Sequence, residues 1–254
     1  MNFNDNKKRF VSIQLERPMS QIRLFCFPYA GGGSSIYRNW SNSVPDSIEI
    51  AAVQLPGREW RIEEPLMSSI NALANDALEG ISSYLDKPFA LLGTSMGGTL
   101  IFELARRLRE EGLPEPLCLV PCACGAPHLP EPEPLHKMSD KNLLAEIREY
   151  GAMPEEIQQH PELEEMLLPL IREDCKAHET YVCDHNIPFD YPIWVYGGLY
   201  DKTFERTRLD AWSEHTNAKC QTHMVDGGHL FVDSMPDLFL GSLCRKLLST
   251  LENK

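Results

Sequence analysis

The segment at residues 93–97 places a serine in a pattern that is typical of a catalytic nucleophile. It reads Gly-Thr-Ser-Met-Gly, with Ser95 at its centre. A short apolar run at 89–92 predicts a strand before it, and apolar residues at helical spacing over 96–110 predict a helix after it. Glycines two residues on either side of the serine permit a turn too tight for larger side chains, as in the nucleophile elbow of hydrolases. The sequence therefore predicts Ser95 as the nucleophile.

A serine hydroxyl is a weak nucleophile until a base takes its proton. Among the eight histidines, only His229 lies in a glycine-rich turn directly after a predicted strand and before the last predicted helix. In α/β-hydrolases the chain order is serine, then acid, then histidine, and His229 fits the last place. We therefore predict His229 as the base.

The acid of such a triad should follow the predicted strand at 193–196. Asp201 does so, after a turn that contains two glycines, and its role would be to orient His229 and stabilise the imidazolium. Three other aspartates are rivals: Asp190, Asp210 and Asp226. The first precedes a strand and the second lies within a predicted helix. The third is on the loop of His229 and stays open as the alternative acid.

An oxyanion that develops at the substrate carbonyl needs two N–H donors. Met96, the residue after the nucleophile, is one predicted donor, and the glycine-rich loop after the first core strand supplies the other. In that loop, at 29–33, we choose Ala30. The loop lacks both the Lys-Ser/Thr of a P-loop and the spacing of a dinucleotide fingerprint, so phosphate or dinucleotide binding is a poor alternative.

Strands alternate with helices along the chain, which predicts an α/β fold with a mostly parallel central sheet flanked by helices. The predicted strands are 22–28, 48–55, 89–92, 117–122, 193–196 and 221–225, and the predicted helices are 69–85, 96–110, 207–215 and 235–251. Residues 1–20 are expected to be a frayed lead-in. We expect one domain over 1–254, with a core at 20–126 and 191–254 and a helical lid insertion at 127–190.

Composition narrows the setting of this chemistry. The 254 residues carry a formal net charge of −13, which disfavours nucleic acid as a partner. No apolar run reaches membrane-spanning length, and the polar start shows no signal peptide. Several of the eight cysteines lie in apolar, strand-like runs, so we expect reduced thiols and a cytoplasmic location. Cys122 and Cys124 lack a second pair at metal-site spacing, so no metal is expected.

The chain resembles the type II thioesterases that serve nonribosomal peptide and polyketide synthases. The segments that carry the resemblance are 24–32, 55–61, 93–98, 169–174, 197–201 and 227–231. The Phe-Pro-Tyr-Ala-Gly-Gly of the first and the Pro-Gly-Arg of the second separate this family from general esterases. The resemblance covers residues 21–245.

This resemblance implies an α/β-hydrolase that removes acyl groups from the phosphopantetheine thiol of acyl or peptidyl carrier domains. It implies Ser95, Asp201 and His229 as the triad, Ala30 and Met96 as oxyanion donors, and the insertion as a lid over the acyl pocket. The enzyme would need no cofactor, because the carrier partner brings the phosphopantetheine. The simplest expected state is a monomer.

One residue departs from the family pattern. Thr94 stands before the nucleophile, where the family usually has histidine. Since this side chain is outside the triad, we expect the chemistry to survive and only the packing beneath the elbow to differ. The alternative functions are a general carboxylesterase or lipase and a non-catalytic binding protein of the same fold.

Charge poses a second question, because carrier domains are commonly acidic, as is this chain. A basic rim around the site would compensate for the repulsion. The candidate residues for such a rim are Arg58, Arg61, Lys137, Lys202, Arg206 and Arg208.

Overall fold

The computed structural model describes residues 9–132, 134–153, 155–184, 187–203, 205–234 and 236–252. Within these residues seven strands form one sheet. They are β1 (Val11–Ser12), β2 (Ile22–Phe27), β3 (Ile48–Val53), β4 (Phe89–Thr94), β5 (Leu119–Cys122), β6 (Ile193–Gly198) and β7 (Cys220–Val225). Their order across the sheet is β1-β3-β2-β4-β5-β6-β7. Only β1 is antiparallel to its neighbour, so the prediction of a mostly parallel sheet is confirmed.

The helices of the described residues follow the predicted pattern with shifted ends. They are α1 (Ile70–Ser82), α2 (Met96–Glu110), α3 (Asp140–Glu149), α4 (Glu155–Gln158), α5 (Pro161–Glu179), α6 (Arg206–Asp210), α7 (Phe231–Ser234) and α8 (Pro236–Glu252). The helix expected at 207–215 is α6 continued by a 3-10 turn, Ala211–His215. Met235, the expected first residue of the last helix, lies outside the described residues.

Both faces of the sheet are covered by apolar side chains. In β4, Phe89 and Leu91 belong to the cluster that contains the apolar residues of α1 and α2, whereas Ala90 and Leu92 belong to the cluster that contains those of α8. Side chains alternate between faces along a strand, so a strand buried on both faces becomes a continuous apolar run. This explains why the short apolar runs of the sequence mark the central strands.

Three helices between β5 and β6, namely α3, α4 and α5, form what we call the insertion helices. Their apolar side chains make a third cluster, with Leu143, Ile147 and Ile171 among its buried members. Ala30, from the loop after β2, packs against the same cluster. The insertion helices therefore contact the loop in which we expect an oxyanion donor.

The prediction of a frayed lead-in over residues 1–20 is wrong for its second half. Phe10 and Val11 are buried, and β1 pairs with β3 at the edge of the sheet. Phe10 fills the space that a side chain at Gly80 would occupy, and its Cβ lies 2.5 Å from the position of the absent Cβ of Gly80. Two apolar residues among polar ones are too short a pattern to predict a strand, and residues 1–8 lie outside the described part of the chain.

Two of the six basic residues expected at a rim are buried instead. Arg58 is 4% exposed and pairs with Asp174, whereas Arg61 is 1% exposed and pairs with Asp76 and Glu64. Both arginines lie in the segment after β3, where local sequence does not separate buried from exposed guanidinium groups. Losing one partner of such a buried pair costs about 3–5 kcal/mol.

The remaining candidates for the rim differ in exposure. Arg208 is half-buried and donates to Glu131 at 3.2 Å. Lys137, Lys202 and Arg206 are exposed. Of the six residues predicted for a basic rim, these three are exposed to solvent.

Gly93→Ala tests the close packing at the end of β4. An added Cβ would lie 2.0 Å from the carbonyl oxygen of Gly97, which is backbone and cannot rotate away. We expect urea denaturation to show a loss of about 3 kcal/mol or more in unfolding free energy. Gly241→Ala is the control, because its nearest atom would be 3.8 Å away in α8, and a gain of about 0.5–1 kcal/mol is expected. Equal stability of both variants would contradict this packing.

Candidate active site

Ser95 lies on the turn between β4 and α2, as the elbow pattern predicts. Its backbone has φ 52° and ψ −119°, a region that side-chain-bearing residues rarely adopt. Its N–H donates to the carbonyl of Cys122 in β5 at 2.8 Å, and its own carbonyl accepts from the N–H of Gly98 at 2.8 Å. The neighbouring strand and the first turn of α2 thus hold the strained turn in place.

Gly97 allows the first turn of α2 to approach β2. An added Cβ there would lie 2.5 Å from the carbonyl oxygen of Phe27 and 2.8 Å from that of Pro28. Met96 is the first residue of α2, and the first N–H groups of a helix have no acceptor within the helix. The close approach brings this end of the helix beside the loop that begins at Tyr29.

His229 joins the nucleophile to an acid. Its Nε2 lies 3.1 Å from Ser95 Oγ, and its Nδ1 lies 2.9 Å from Asp201 Oδ2. The carboxylate can only accept, so Nδ1–H donates to Asp201 and Nε2 is left to accept the serine proton. The structure therefore brings together the three predicted residues in the order that proton transfer requires.

The carboxylate of Asp201 is only 3% exposed in its side chain. Its Oδ1 accepts two hydrogen bonds from Thr203, at 2.9 Å from the backbone N–H and at 2.7 Å from the hydroxyl. Burial by itself would raise the pKa of Asp201, but the hydrogen bond and charge of His229 and the bonds from Thr203 bring this pKa below its usual value. The residue that faces the imidazole is therefore an anion.

The rival acid lies elsewhere. Asp226 is exposed, and a hydrogen bond with it raises the pKa of Tyr200, so its carboxylate faces that phenol. Its position on the loop of His229 made it a reasonable alternative from sequence. The geometry favours Asp201, because its carboxylate lies 2.9 Å from the imidazole Nδ1.

A cavity of about 900 Å³ opens above the triad. Ser95, Asp201 and His229 line it together with Ala30 and Met96, the two predicted oxyanion donors. The insertion helices also line it, and the residues that they contribute are Glu146, Ile147, Glu149, Cys175, His178 and Glu179. A cavity of this size can hold a small ligand with most of its surface buried.

Tyr150 directly follows α3 and covers the imidazole. Its ring lies 5.2 Å from the ring of His229, at an interplanar angle of 42°. Burial raises the pKa of Tyr150 to about 12, so the phenol stays neutral. Sequence reasoning missed this contact, because nothing in the local pattern around Tyr150 connects it to a residue after β7, far away in the chain.

Thr94, the departure from the family pattern, is fully buried beneath the elbow. Its hydroxyl lies 3.3 Å from the hydroxyl of Tyr37. The Tyr37 hydroxyl in turn donates to the carbonyl oxygen of Phe27 at 2.7 Å. The threonine therefore belongs to the packing under the turn, as expected.

Two further residues were missed as a pair. Arg58 was expected at an exposed rim and Asp174 was noticed only as a member of a resembling segment, yet the two form a buried ion pair with N–O distances of 2.6 and 2.9 Å. Asp174 Oδ2 also accepts the N–H of Gly31 at 2.8 Å, next to Ala30. Their spacing of 116 residues leaves no local signal of the contact.

Comparison with known proteins decides the family to which this site belongs. The family model described as a thioesterase domain matches residues 22–247. The chain belongs to this thioesterase family. The resemblance seen in the sequence and the serine hydrolase class are confirmed.

The similarity to known relatives extends over nearly the whole thioesterase. Linear gramicidin dehydrogenase LgrE of Brevibacillus parabrevis is 35% identical over 236 residues, which are 91% of this chain and 90% of LgrE. Gramicidin S biosynthesis protein GrsT of Aneurinibacillus migulanus is 34% identical over 236 residues, 92% of each chain. The name of LgrE contains the word dehydrogenase. The glycine-rich loop of this thioesterase, however, lacks the glycine spacing by which many dehydrogenases bind a dinucleotide.

A solved structure supports the same assignment. BorB, the type II thioesterase from the borrelidin biosynthetic cluster, is 32% identical, with a TM-score of 0.84 over 93% of this chain and 96% of BorB. The α/β-hydrolase fold predicted from the sequence is confirmed. In the described part of the thioesterase, no helix is long and apolar enough to cross a membrane. Its described residues also include no group of three or more His, Cys, Asp or Glu placed to hold a metal ion.

The choice between the two acids can be tested by kinetics. Asp201→Asn should lower kcat for thioester hydrolysis by about 10³- to 10⁴-fold, because the amide favours the wrong imidazole tautomer. Asp226→Asn is the matched control on the neighbouring loop and should keep kcat within about twofold, since its carboxylate faces a phenol. A crippled Asp226→Asn beside an active Asp201→Asn would reverse the assignment.

Proposed function

We propose that this thioesterase hydrolyses acyl groups from the phosphopantetheine thiol of carrier domains in nonribosomal peptide or polyketide synthesis. The observation that carries the proposal is the hydrogen-bonded series Asp201, His229, Ser95 at the floor of a cavity of about 900 Å³. The type II thioesterase BorB, at 32% identity, supports the choice of substrate class.

In the first half of the proposed reaction, His229 Nε2 takes the proton of Ser95 as its oxygen attacks the thioester carbonyl. The carbonyl oxygen becomes an anion and accepts from the N–H groups of Ala30 and Met96. Collapse of this intermediate breaks the carbon–sulfur bond. The imidazolium gives its proton to the leaving sulfur, which restores the thiol of the carrier and leaves an acyl ester on Ser95.

In the second half, water replaces the thiol. His229 takes a proton from the water as its oxygen attacks the acyl ester, and the same two N–H groups hold the second oxyanion. Collapse returns the proton to Ser95 and releases the carboxylic acid. Asp201 stabilises the imidazolium in both halves.

The chain is a single domain over residues 1–254 in this proposal. Within it, the insertion helices act as a lid. Two observations support this role: these helices line the same cavity as Ser95, and Tyr150, which follows α3, contacts His229. Excluding water from the acyl group strengthens each hydrogen bond to the oxyanion. A cavity enclosed between core and lid suits a thin phosphopantetheine arm better than it suits a lipid surface.

The partner and setting are part of the same proposal. The carrier domain brings its own phosphopantetheine, so the thioesterase needs no cofactor. It acts as a monomer in the cytoplasm, and the six cysteines buried as thiols are consistent with a reducing compartment. Lys137, Lys202 and Arg206 are the exposed basic residues of the predicted rim that an acidic carrier could contact.

Competing substrates distinguish this function from that of a general carboxylesterase. We expect kcat/KM for acyl-loaded carrier domains to exceed that for p-nitrophenyl esters of the same acyl chain by about 10-fold or more, because carrier and arm add binding energy. Released acid is measured across a panel of chain lengths. Ser95→Ala should release none and should show no acyl adduct by mass spectrometry. Equal or faster turnover of the oxygen esters would favour the carboxylesterase.

A further inference from the structure

The loop that carries Ala30 is a tight turn. The N–H of Gly32 donates to the carbonyl oxygen of Tyr29 at 2.9 Å, and Gly31 has a φ of +80°, as the third residue of a type II turn does. The peptide unit between Tyr29 and Ala30 carries the Ala30 N–H on the side opposite to that carbonyl oxygen. The turn thereby fixes the direction of the predicted oxyanion donor.

The next peptide unit is held from outside the loop. The N–H of Gly31 donates to Asp174 Oδ2 at 2.8 Å, and Asp174 is a residue of α5 in the insertion. Both peptide units that flank Ala30 are therefore hydrogen-bonded, one within the turn and one to the lid. Without the second bond, the unit between Ala30 and Gly31 could rotate, and the turn that orients the Ala30 N–H would lose its contact with α5.

Asp174 is itself held by Arg58. The guanidinium bonds to both carboxylate oxygens and also donates to the carbonyl of Gly32 at 3.1 Å. The two side chains are 4% and 1% exposed, so water competes little with this pair. Charge-assisted bidentate pairs of this kind set geometry as well as energy. Arg58 thus contacts both the lid carboxylate and the loop.

Packing reinforces the same contact. At Gly31, an added Cβ would lie 2.7 Å from Ile171 Cγ1, so α5 rests directly on the turn. On the other side, the hydroxyl of Tyr29 donates to Asp233 Oδ2 at 2.9 Å, and Asp233 lies in the short helix α7 that follows His229. The turn is held between the lid and the segment that carries the base.

We propose that Asp174, held by Arg58, is a positioning residue that orients the Ala30 N–H toward the oxyanion. The lid then has two roles, since it covers the acyl group and completes the oxyanion hole. This inference rests on the proposed function of Ala30 in catalysis. It does not depend on which carrier domain is the partner.

Asp174→Asn is the direct test. The amide keeps the shape but loses the charge that Arg58 requires, so kcat for a small acyl-pantetheine thioester should fall by about 10- to 100-fold with little change in KM. The affinity for a trifluoromethyl ketone, which forms an anionic tetrahedral adduct with serine, should fall by a similar factor. A purely structural role would leave both values unchanged in the folded fraction.

Asp76→Asn is the matched control. Asp76 pairs with Arg61 through two bonds of 2.7 Å, and Arg61 is also buried, but the pair does not bond to the loop at 29–33. Its loss should lower the melting temperature while kcat and the ketone affinity stay within about twofold. If Asp174→Asn changes kcat no more than this control, the positioning role is refuted.

The double variant Arg58→Met, Asp174→Leu covers the case in which Asp174→Asn does not fold. Replacing a buried ion pair by apolar residues of similar volume is often neutral for stability, yet it still removes the acceptor for Gly31. The expected result is a folded protein with the same loss of kcat and ketone affinity. A folded double variant with wild-type kcat would overturn the inference. Wild-type protein that cleaves acyl-pantetheine but no acyl carrier would refute the proposed function alone.

Discussion

The hydrogen bond between His229 and Ser95 joins two loops that are 134 residues apart in the chain. A bond of 3.1 Å between short side chains tolerates little error in the position of either loop. The parallel sheet provides that precision, because β4, β6 and β7 end at the same edge and each is followed by one member of the triad. The full burial of β4 and β6, with β7 half-buried at the edge of the sheet, is therefore a requirement of the site as well as of the fold.

Backbone strain at Ser95 follows from the same requirement. The residue occupies a conformation that costs about 1–3 kcal/mol, and it does so where neighbours leave no room for relaxation. Absent side chains at Gly93 and Gly97 let the turn pack against backbone on both sides. The strain lifts the hydroxyl away from the sheet and toward the imidazole, so the surrounding core stabilises a reactive geometry that the isolated segment would not keep.

Buried charge has a similar function beside the loop that carries Ala30. The ion pair of Arg58 and Asp174 is expensive to desolvate and is weak evidence for stability by itself. Its position explains it better, because it lies where α5 meets the loop that carries Ala30. Through this pair, the active site depends on both the sheet and the insertion. The exposed surface, in contrast, carries few of the basic residues that were expected to recognise a carrier domain.

The sequence by itself determined the elements whose signals are local. The elbow around Ser95, the glycine turn before His229 and the apolar runs of the central strands depend on neighbours a few residues away, so they were recognisable without a structure. Only the tertiary structure showed that Asp201 bonds to the imidazole and that Tyr150 covers it. The burial of Arg58 and Arg61 and the pairing of β1 with β3 also became visible only there. Each of these depends on segments far apart in the chain, and pairings at such separation leave no periodicity or turn signal in either segment.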